Sequence, residues 1–366
     1  MATPLAGERI RSVRHLLGVS QVDLSKAASI SQSLVSQIEN GTKEATDEVL
    51  EGIAAATGMP RSFFEVAPPD VPLGTLRFRK LSSAKQGDTK RVKALFDEAY
   101  RIVFDLALET GLPLPDLPIA QGEITHDDIE RLAAETREAL QLGGDGPIRH
   151  LTRACERAGV VVVPLTLPGE HNAEEEAIGH FGVSFWPGKS DPALVGYFSS
   201  GSGDRLRYTL AHEVGHLVLH TRRRNVTDAE GEANRFAGAL LMPKSRAQDA
   251  LSGGITLRDL AVQKSKWGIS IQALIMRGSH LGLIDEQRKT SLFKQLSARG
   301  WRKNEPVRVV PEEPALFARL LSVRFGEPLR MNQVSDRLGL GPVILRSLAP
   351  TAQKTASAPK NVIPLR

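Results

Sequence analysis

The pattern H-E-x-x-H lies inside a segment with helical periodicity, and it constrains the fold more than any other feature of this 366-residue chain. The segment runs from Leu206 to His220 and places His212 and His216 four residues apart. Residues at this spacing share one helix face, so that one cation can contact both imidazoles. Glu213 lies beside that face, where its carboxylate can take a proton from metal-bound water without binding the metal. The segment therefore predicts a buried helix that carries two ligands of a catalytic zinc ion.

A catalytic zinc ion needs a third protein ligand and one position open to water. Residues 229–242 predict a second helix that supplies the candidates. Glu230 and Asn234 lie four residues apart on one face, so Glu230 is the favoured ligand, and Asn234 would hold the free ring nitrogen of a ligand histidine. Glu232 and His220 are the alternative ligands. Their other interpretations are a solvated carboxylate and a histidine stabilised by the C-terminal end of its helix.

Two stretches together resemble the ImmA/IrrE metallopeptidases. They are R-Y-T-L-A-H-E-V-G-H-L-V-L-H at residues 207–220 and E-G-E-A-N-R-F-A-G-A-L-L-M-P at residues 230–243, and the resemblance covers about residues 146–284. It implies a zincin-like fold, in which a small sheet packs on the helix that carries the two histidines. It also implies a zinc-dependent endopeptidase that cleaves a protein, typically a repressor, and it selects Glu230 as the third ligand.

The reaction expected from this site is metal-assisted amide hydrolysis. His212, His216 and Glu230 would hold Zn²⁺, while Glu213 would act as general base on the zinc-bound water and then as acid toward the leaving amine. The developing oxyanion needs a further hydrogen-bond donor. The sequence leaves this choice open among three side chains, although core packing is the more common role of a tyrosine: His180, Tyr197 and Tyr208.

A second pattern, at residues 21–40, predicts two short helices joined by a tight turn, which is a helix-turn-helix. The stretches V-S-Q-V-D-L at residues 19–24 and V-S-Q-I-E-N-G at residues 35–41 resemble the lambda-repressor-like XRE family over about residues 8–64. Ser29 stands at the turn position where this family often has glycine. The resemblance implies an all-helical domain that binds a double-stranded DNA operator.

In a helix-turn-helix the second helix enters the major groove. Glutamine side chains can pair with adenine edges, and serine hydroxyls with donors or acceptors on either base. The residues expected on the exposed, base-contacting side are Ser31, Gln32, Ser33, Ser36 and Gln37. Two further side chains are expected to contact phosphates, Gln21 and Asn40.

The charge of the chain is unevenly distributed. Its net charge is +5, yet residues 1–64 carry six Lys/Arg against seven Asp/Glu. Residues 77–93 and residues 287–310 each carry seven Lys/Arg against one acidic residue. Because nonspecific DNA affinity comes from cations, the run at 77–93 is a candidate supplier of phosphate contacts. The alternative for both runs is a solvated polar surface.

Other elements follow from hydrophobic periodicity and turn residues. Strands are predicted at residues 159–165, 182–186 and 193–198, with Pro187-Gly188 forming a hairpin between the last two. Thr125 and Asp204 are expected to cap helices. The predicted helices span residues 90–110, 126–142, 204–220, 229–242, 256–265, 270–282 and 288–299, with helical stretches near 314–324 and 331–348.

These patterns predict a mostly helical α+β chain of four parts. A lambda-repressor-like helix-turn-helix domain is followed by a zincin-like domain with a small sheet and by a helical C-terminal region. The predicted parts are an XRE-type domain at 1–66, a basic linker and helical region at 67–145, an ImmA/IrrE-like metallopeptidase domain at 146–284, and a helical region with a disordered tail at 285–366.

Composition narrows the class of protein. The single cysteine excludes an intramolecular disulfide and a cysteine-rich zinc finger, and it suits the reducing cytoplasm. No apolar run approaches the 18 residues that a membrane span requires. We therefore expect a cytoplasmic regulator, with homodimerisation left open. Two other functions are open as well: a transcription factor that uses the metallopeptidase domain as a sensor or dimerisation unit without catalysis, and an antitoxin-like regulator.

Overall fold

The structure is a computed structural model that describes residues 5–68, 71, 77–80, 86–165, 180–198, 202–223, 225–302 and 304–351. Within these residues it is an α+β, mostly helical protein with one small sheet, which confirms the expected fold class. Most of the expected disordered tail, from residue 352 onward, lies outside the described residues.

The chain begins with four short helices and a 3₁₀ turn, and the predicted helix-turn-helix is present. Hydroxyl side chains cap two of the helices: Ser20 caps α2 (Gln21–Ala27) and Ser31 caps α3 (Gln32–Glu39). Ser29 has φ 55°, which explains why this turn position favours glycine. The elements are α1 (Leu5–Leu17), α2 (Gln21–Ala27), α3 (Gln32–Glu39), α4 (Asp47–Thr57) and the 3₁₀ turn (Arg61–Phe64).

The structure has four strands: β1 (Arg77–Lys80), β2 (Val160–Pro164), β3 (His180–Phe185) and β4 (Ala193–Tyr197). They form one sheet with the order β1-β3-β4-β2. The predicted hairpin is confirmed, because β3 and β4 pair antiparallel, whereas β2 and β4 pair parallel. The edge strand β1 pairs antiparallel with β3 and was not predicted, because its run R-F-R-K offers no apolar alternation.

The remaining regular elements are helices, most of them within a few residues of the predicted bounds. Thr125 caps α6 (His126–Ala139) with a reciprocal capping box, as expected. These helices are α5 (Gln86–Thr110), α6 (His126–Ala139), α7 (Leu151–Arg157), α8 (Gly203–His220), α9 (Ala229–Leu241), α10 (Lys244–Leu251), α11 (Leu257–Trp267), α12 (Ile271–His280), α13 (Glu286–Ala298), α14 (Leu316–Phe325), α15 (Met331–Leu338) and α16 (Pro342–Leu348).

Two predicted details are wrong. The helical stretch near 331–348 is two helices, because Gly339 adopts a left-handed conformation that ends α15 and Pro342 begins α16. Asp204 does not cap α8. Ser202 holds the N-cap position without a side-chain capping bond, and the Asp204 carboxylate instead accepts a hydrogen bond of 2.6 Å from Lys264 Nζ.

The sheet separates two hydrophobic cores. Alternate residues of β2 point to opposite faces, so Val161 and Val163 pack in one core while Val160 and Val162 pack in the other. The first core joins helices α1, α3, α5 and α14 to α16, and the second contains α6 to α13 with the histidine helix α8 among them. The predicted boundaries at residues 67, 146 and 285 stay predictions, since both cores draw helices from distant parts of the sequence.

A buried ion pair ties the N-terminal helices to the helix that covers the sheet. Arg9 of α1 and Glu98 of α5 pair with side chains that are 0% and 2% exposed. Arg9 Nε also donates to the Phe63 carbonyl at 2.8 Å. Charges buried to this extent persist only when both are paired, so α1 and α5 are held in a fixed relation.

Within the described residues, no helix has the length and apolar character needed to cross a bilayer.

Candidate metal centre and nucleic-acid interface

Helix α8 lies between the sheet and α9, and glycine allows the close approach of the two helices. A Cβ atom at Gly215 would lie 3.0 Å from Phe236 and 3.3 Å from the Ala233 carbonyl oxygen. Any larger side chain would push α9 away. The tight contact brings the start of α9, which carries Glu230, over the histidine pair of α8.

Three side chains converge between α8 and α9. His212 Nε2 and His216 Nε2 lie 3.1 Å apart, His212 Nε2 lies 3.3 Å from Glu230 Oε2, and His216 Nε2 lies 3.3 Å from Glu230 Oε1. Each carboxylate oxygen thus contacts one histidine, and one ligand atom from each of the three side chains lies within 4.8 Å of the others. Ligand atoms around a tetrahedral zinc ion are separated by about 3.3 Å, so a small adjustment of the carboxylate would suit a single four-coordinate divalent ion. Among the described residues this is the one cluster of three His, Cys, Asp or Glu side chains arranged for a metal.

The cluster is closed on the histidine side and open on the carboxylate side. The side chains of His212 and His216 are 0% and 1% exposed, whereas that of Glu230 is 51% exposed. Burial raises the pKa of the Glu230 carboxyl, but hydrogen bonds to the two histidines outweigh burial and hold its pKa well below the ordinary value. The carboxylate is thus charged at neutral pH, and one side of the cluster remains accessible to solvent.

Asn234 contacts the ligand histidine nearest to it. Its Oδ1 lies 3.1 Å from His212 Nδ1, on the side of the ring that faces away from the cluster. The Tyr208 hydroxyl donates to the Asn234 carbonyl oxygen at 3.1 Å, which fixes this turn of α9. The amide oxygen can accept the proton of Nδ1, so that Nε2 of His212 keeps a lone pair that faces the cluster.

The two alternative ligands lie outside the cluster. His220 approaches the Nδ1 edge of His216, the edge opposite the cluster, with an Nδ1 to Nδ1 distance of 2.9 Å. Glu232 contacts His220 and Arg223 instead of the ligand atoms. Neither residue is a solvated side chain, because both are held in a chain of contacts behind His216.

Strand β3 positions the Glu213 carboxylate. The sequence predicted the strand but did not indicate this contact. Ser184 Oγ donates to Glu213 Oε2 at 2.7 Å, and both side chains are buried. A Cβ atom at Gly182 would lie 2.5 Å from Glu213 Oε1, so only glycine leaves room for the carboxylate there. Ser184 and Gly182 were missed because their sequence separation from α8 leaves no local spacing signal.

The structure describes the side chains of two of the three candidate oxyanion donors. Tyr197 packs in the second hydrophobic core, and Tyr208 donates to Asn234. The side chain of His180 lies outside the described part of the chain. The core-packing alternative for Tyr197 agrees with its position, whereas Tyr208 lies beside the site, where its hydroxyl contacts Asn234.

The predicted base-contacting residues lie on one exposed side of α3, with one qualification. Gln32, Ser33 and Gln37 are exposed and Ser36 is half-buried, but the Ser31 hydroxyl oxygen accepts a hydrogen bond from the Leu34 amide as the N-cap. The Ser31 hydroxyl therefore caps α3, in addition to its predicted base contact. Asn40, predicted at a phosphate, ends α3 and is exposed.

A chain of hydrogen bonds fixes the start of α3. Gln32 Nε2 donates to Gln21 Oε1 at 2.8 Å, Gln21 Nε2 donates to Glu39 Oε2 at 2.9 Å, and Arg14 Nη2 donates to the same oxygen at 3.0 Å. Gln21, predicted at a phosphate, is therefore also a support for Gln32. The chain presents Gln32 in a fixed orientation at the surface.

Few cations of the helix-turn-helix are available to phosphates. Arg9 pairs with Glu98, Arg11 and Arg14 pair with Glu39, and Arg61 pairs with Asp47 and Glu65. In the described part of the chain, Lys26 and Lys43 are the two cations of this region without an ion pair, and both are exposed. Much of the basic run at 77–93 lies outside the described side chains, so its phosphate contacts stay a prediction.

Comparison with known families gives two matches, one over the helix-turn-helix and one over the metal cluster. A family model described as Helix-turn-helix matches residues 10–64, and one described as IrrE N-terminal-like domain matches residues 155–279. The second match contains the histidine helix, its supporting strands and Glu230. No curated protein matches the chain. The chain thus fuses a helix-turn-helix domain to an IrrE N-terminal-like domain.

Proposed function

We propose that the chain is a DNA-binding transcriptional regulator whose second domain is a zinc-dependent endopeptidase, and that this endopeptidase cleaves a regulatory protein such as a repressor. The observation that carries the proposal is the convergence of His212, His216 and Glu230 within 4.8 Å of one another. The buried Glu213, on the same helix as the two histidines, would supply a general base that a purely structural metal site would not need.

The donor set defines the chemistry at the site. His212, His216 and Glu230 would hold Zn²⁺, which as a Lewis acid polarises an amide carbonyl and acidifies water. Glu213 would take the proton of the attacking water and return it to the leaving amine. Ser184 holds one oxygen of that carboxylate, so Glu213 keeps its orientation during proton transfer.

The helix-turn-helix domain would bring the endopeptidase to its substrate. The exposed glutamines of α3 suit base contacts in the major groove of a double-stranded operator, and an operator as partner implies action in the cytoplasm. A repressor bound at a nearby site would then meet the cleft at a raised effective concentration. Protein cleavage and DNA binding in one chain thus serve the same regulatory target.

Incubation of the zinc-loaded chain with repressors encoded beside its gene, followed by intact-mass measurement, tests the proposal. We expect two fragments from one repressor, and none with the Glu213→Gln variant, which should bind zinc as the unmodified chain does. A chain that acts without catalysis would give no fragment, and its Glu213→Gln variant would keep the full transcriptional phenotype. That pair of results would overturn the endopeptidase proposal.

A further inference from the structure

The edge of His216 that faces away from the metal cluster contacts a second histidine. His216 Nε2 belongs to the cluster, and His216 Nδ1 lies 2.9 Å from Nδ1 of His220. The distance makes this a direct contact, and both side chains are 1% exposed. Two ring nitrogens at hydrogen-bond distance require that one carries a proton and the other does not, and the tautomers of the two rings are therefore coupled.

The second contact of His220 determines which nitrogen carries the proton. His220 Nε2 lies 3.1 Å from Glu232 Oε2. A carboxylate only accepts hydrogen bonds, so the proton of His220 resides on Nε2. In the neutral form of His220, Nδ1 is then an acceptor, and His216 Nδ1 is the donor. This arrangement leaves the lone pair of His216 on Nε2, the atom that faces His212 and Glu230.

Arg223 fixes the carboxylate at the outer end of this chain. Arg223 Nη1 lies 2.6 Å from Glu232 Oε2, and Nη2 lies 3.1 Å from Glu232 Oε1. Arg223 Nε donates to the Gly122 carbonyl at 2.7 Å. A two-point contact with an arginine favours the ionised carboxylate and restricts its orientation. The arginine and carboxylate side chains are 10% and 19% exposed, so solvent screens this pair only in part.

We propose that Arg223, Glu232 and His220 form a relay that positions His216 for metal binding. The inference rests on the proposed zinc site. The relay fixes the ring orientation of His216 and keeps the proton off Nε2, and it strengthens that nitrogen as a ligand because Nδ1 donates toward a negative charge. Asn234 orients the His212 ring by one direct contact, whereas Glu232 orients the His216 ring through the intervening imidazole of His220. Glu232 thus acts on the metal without touching it.

Zinc affinity of the full-length chain, measured by competition with a chelator of known affinity, tests the relay. Loss of a partner that orients a ligand lowers metal affinity about 10–100-fold. We expect this loss for His220→Phe and for Glu232→Ala, and a smaller loss for Glu232→Gln, which keeps an oxygen acceptor. The double variant should lose little more than either single one, because both residues act through the same chain of contacts.

A matched control and a second measurement separate the relay from effects on folding. Arg222→Gln removes a neighbouring arginine that does not contact Glu232, and it should leave zinc affinity unchanged. Long-range ¹H–¹⁵N NMR of the metal-free chain should show the His216 proton on Nδ1, and Glu232→Ala should mix the two tautomers. Both results are independent of catalysis.

The outcomes also separate this inference from the proposed function. If Glu230→Gln abolishes zinc binding while His220→Phe and Glu232→Ala bind zinc within twofold of the unmodified chain, the relay is wrong and the metal site stands. If Glu230→Gln leaves zinc binding unchanged, the metal site itself is wrong. A proton on Nε2 of His216 in the metal-free chain would overturn the relay as well.

Discussion

Ser184 on strand β3 and Glu213 on helix α8 are joined by a hydrogen bond of 2.7 Å, from the serine hydroxyl to Oε2 of the carboxylate. The contact lies in the interior, since Ser184 is 2% exposed and Glu213 is 0% exposed. The sheet therefore positions the proposed general base, while α8 and α9 position the proposed metal ligands. Substitutions on β3 should affect hydrolysis and metal binding to different extents.

Gly182→Ala tests this division of roles. The new Cβ would meet Glu213 Oε1 at 2.5 Å, so the carboxylate must move. Displacement of a catalytic group by about 1 Å costs about 100-fold in rate. We expect cleavage to fall by about that factor with zinc content unchanged. Ser184→Ala, which removes the hydrogen bond without adding bulk, should cost less. Equal zinc loss and rate loss in both variants would contradict the assignment.

Lys264 is expected to be essential for stability because it neutralises two buried carboxylates. Its Nζ lies 2.6 Å from Asp204 Oδ2 and 2.9 Å from Glu305 Oε2, and the lysine side chain is 4% exposed. Lys264→Met leaves both carboxylates unpaired and should lower the free energy of unfolding by about 3–5 kcal/mol. The exposed Lys266→Met serves as control, with an expected change within about 0.5 kcal/mol in urea unfolding. Similar free energies of unfolding for Lys264→Met and Lys266→Met would refute the stabilising role of Lys264.

The metal cluster could be predicted from the sequence, whereas the ion pair of Lys264 with Asp204 could not. His212, His216 and Glu230 follow helical spacing, so their convergence could be predicted from two segments near each other in the chain. Asp204 and Lys264 are distant in sequence, and nothing local signals their pairing. Asp204 at a helix start resembles a cap, and its ion pair with Lys264 is a tertiary contact that this local preference does not show.

The same reasoning applies to the rest of the fold. Apolar alternation and turn residues predict the β3–β4 hairpin and most helices, whereas β1 has a basic, short sequence and becomes a strand because β3 offers it a free edge. The pairing of Arg9 with Glu98 links segments that are far apart in sequence and could not be anticipated. Long-range pairing is therefore the part of this structure that periodicity does not encode.

The stability of the chain should fall as the pH drops, in part through His280. Burial, with the nearby Arg235 and Arg277, lowers the pKa of His280 from 6.5 to about 4. The folded chain thus keeps this imidazole neutral, whereas the unfolded chain takes up a proton between these two pH values. The free energy of unfolding contributed by His280 decreases as the pH falls through this window.

Urea unfolding of the unmodified chain and of His280→Gln between pH 7.5 and 4 measures this contribution. The glutamine cannot titrate, so the stability difference between the two chains should change steadily in favour of the variant as the pH falls from 6.5 to 4. A pH-independent difference would show that His280 does not titrate with a lowered pKa.

Operator binding should depend on Gln37 of α3. Its exposed side chain lies on the predicted base-contacting side, and loss of one good base contact costs about 1–3 kcal/mol of discrimination. Gln37→Ala should weaken binding to an operator selected from random double-stranded DNA and leave nonspecific binding intact. Lys43→Ala should weaken binding to all sequences and reduce the salt dependence. Equal weakening on all sequences by Gln37→Ala would remove it from the base-contacting set.

Zinc content per chain, measured by elemental analysis after loading and removal of unbound metal, tests the central claim most directly. We predict about one zinc ion in the unmodified chain and in Glu213→Gln, and near zero in Glu230→Gln, because only the last variant loses a proposed ligand. A full complement of zinc in Glu230→Gln, or none in the unmodified chain, would contradict the proposed His-His-Glu site.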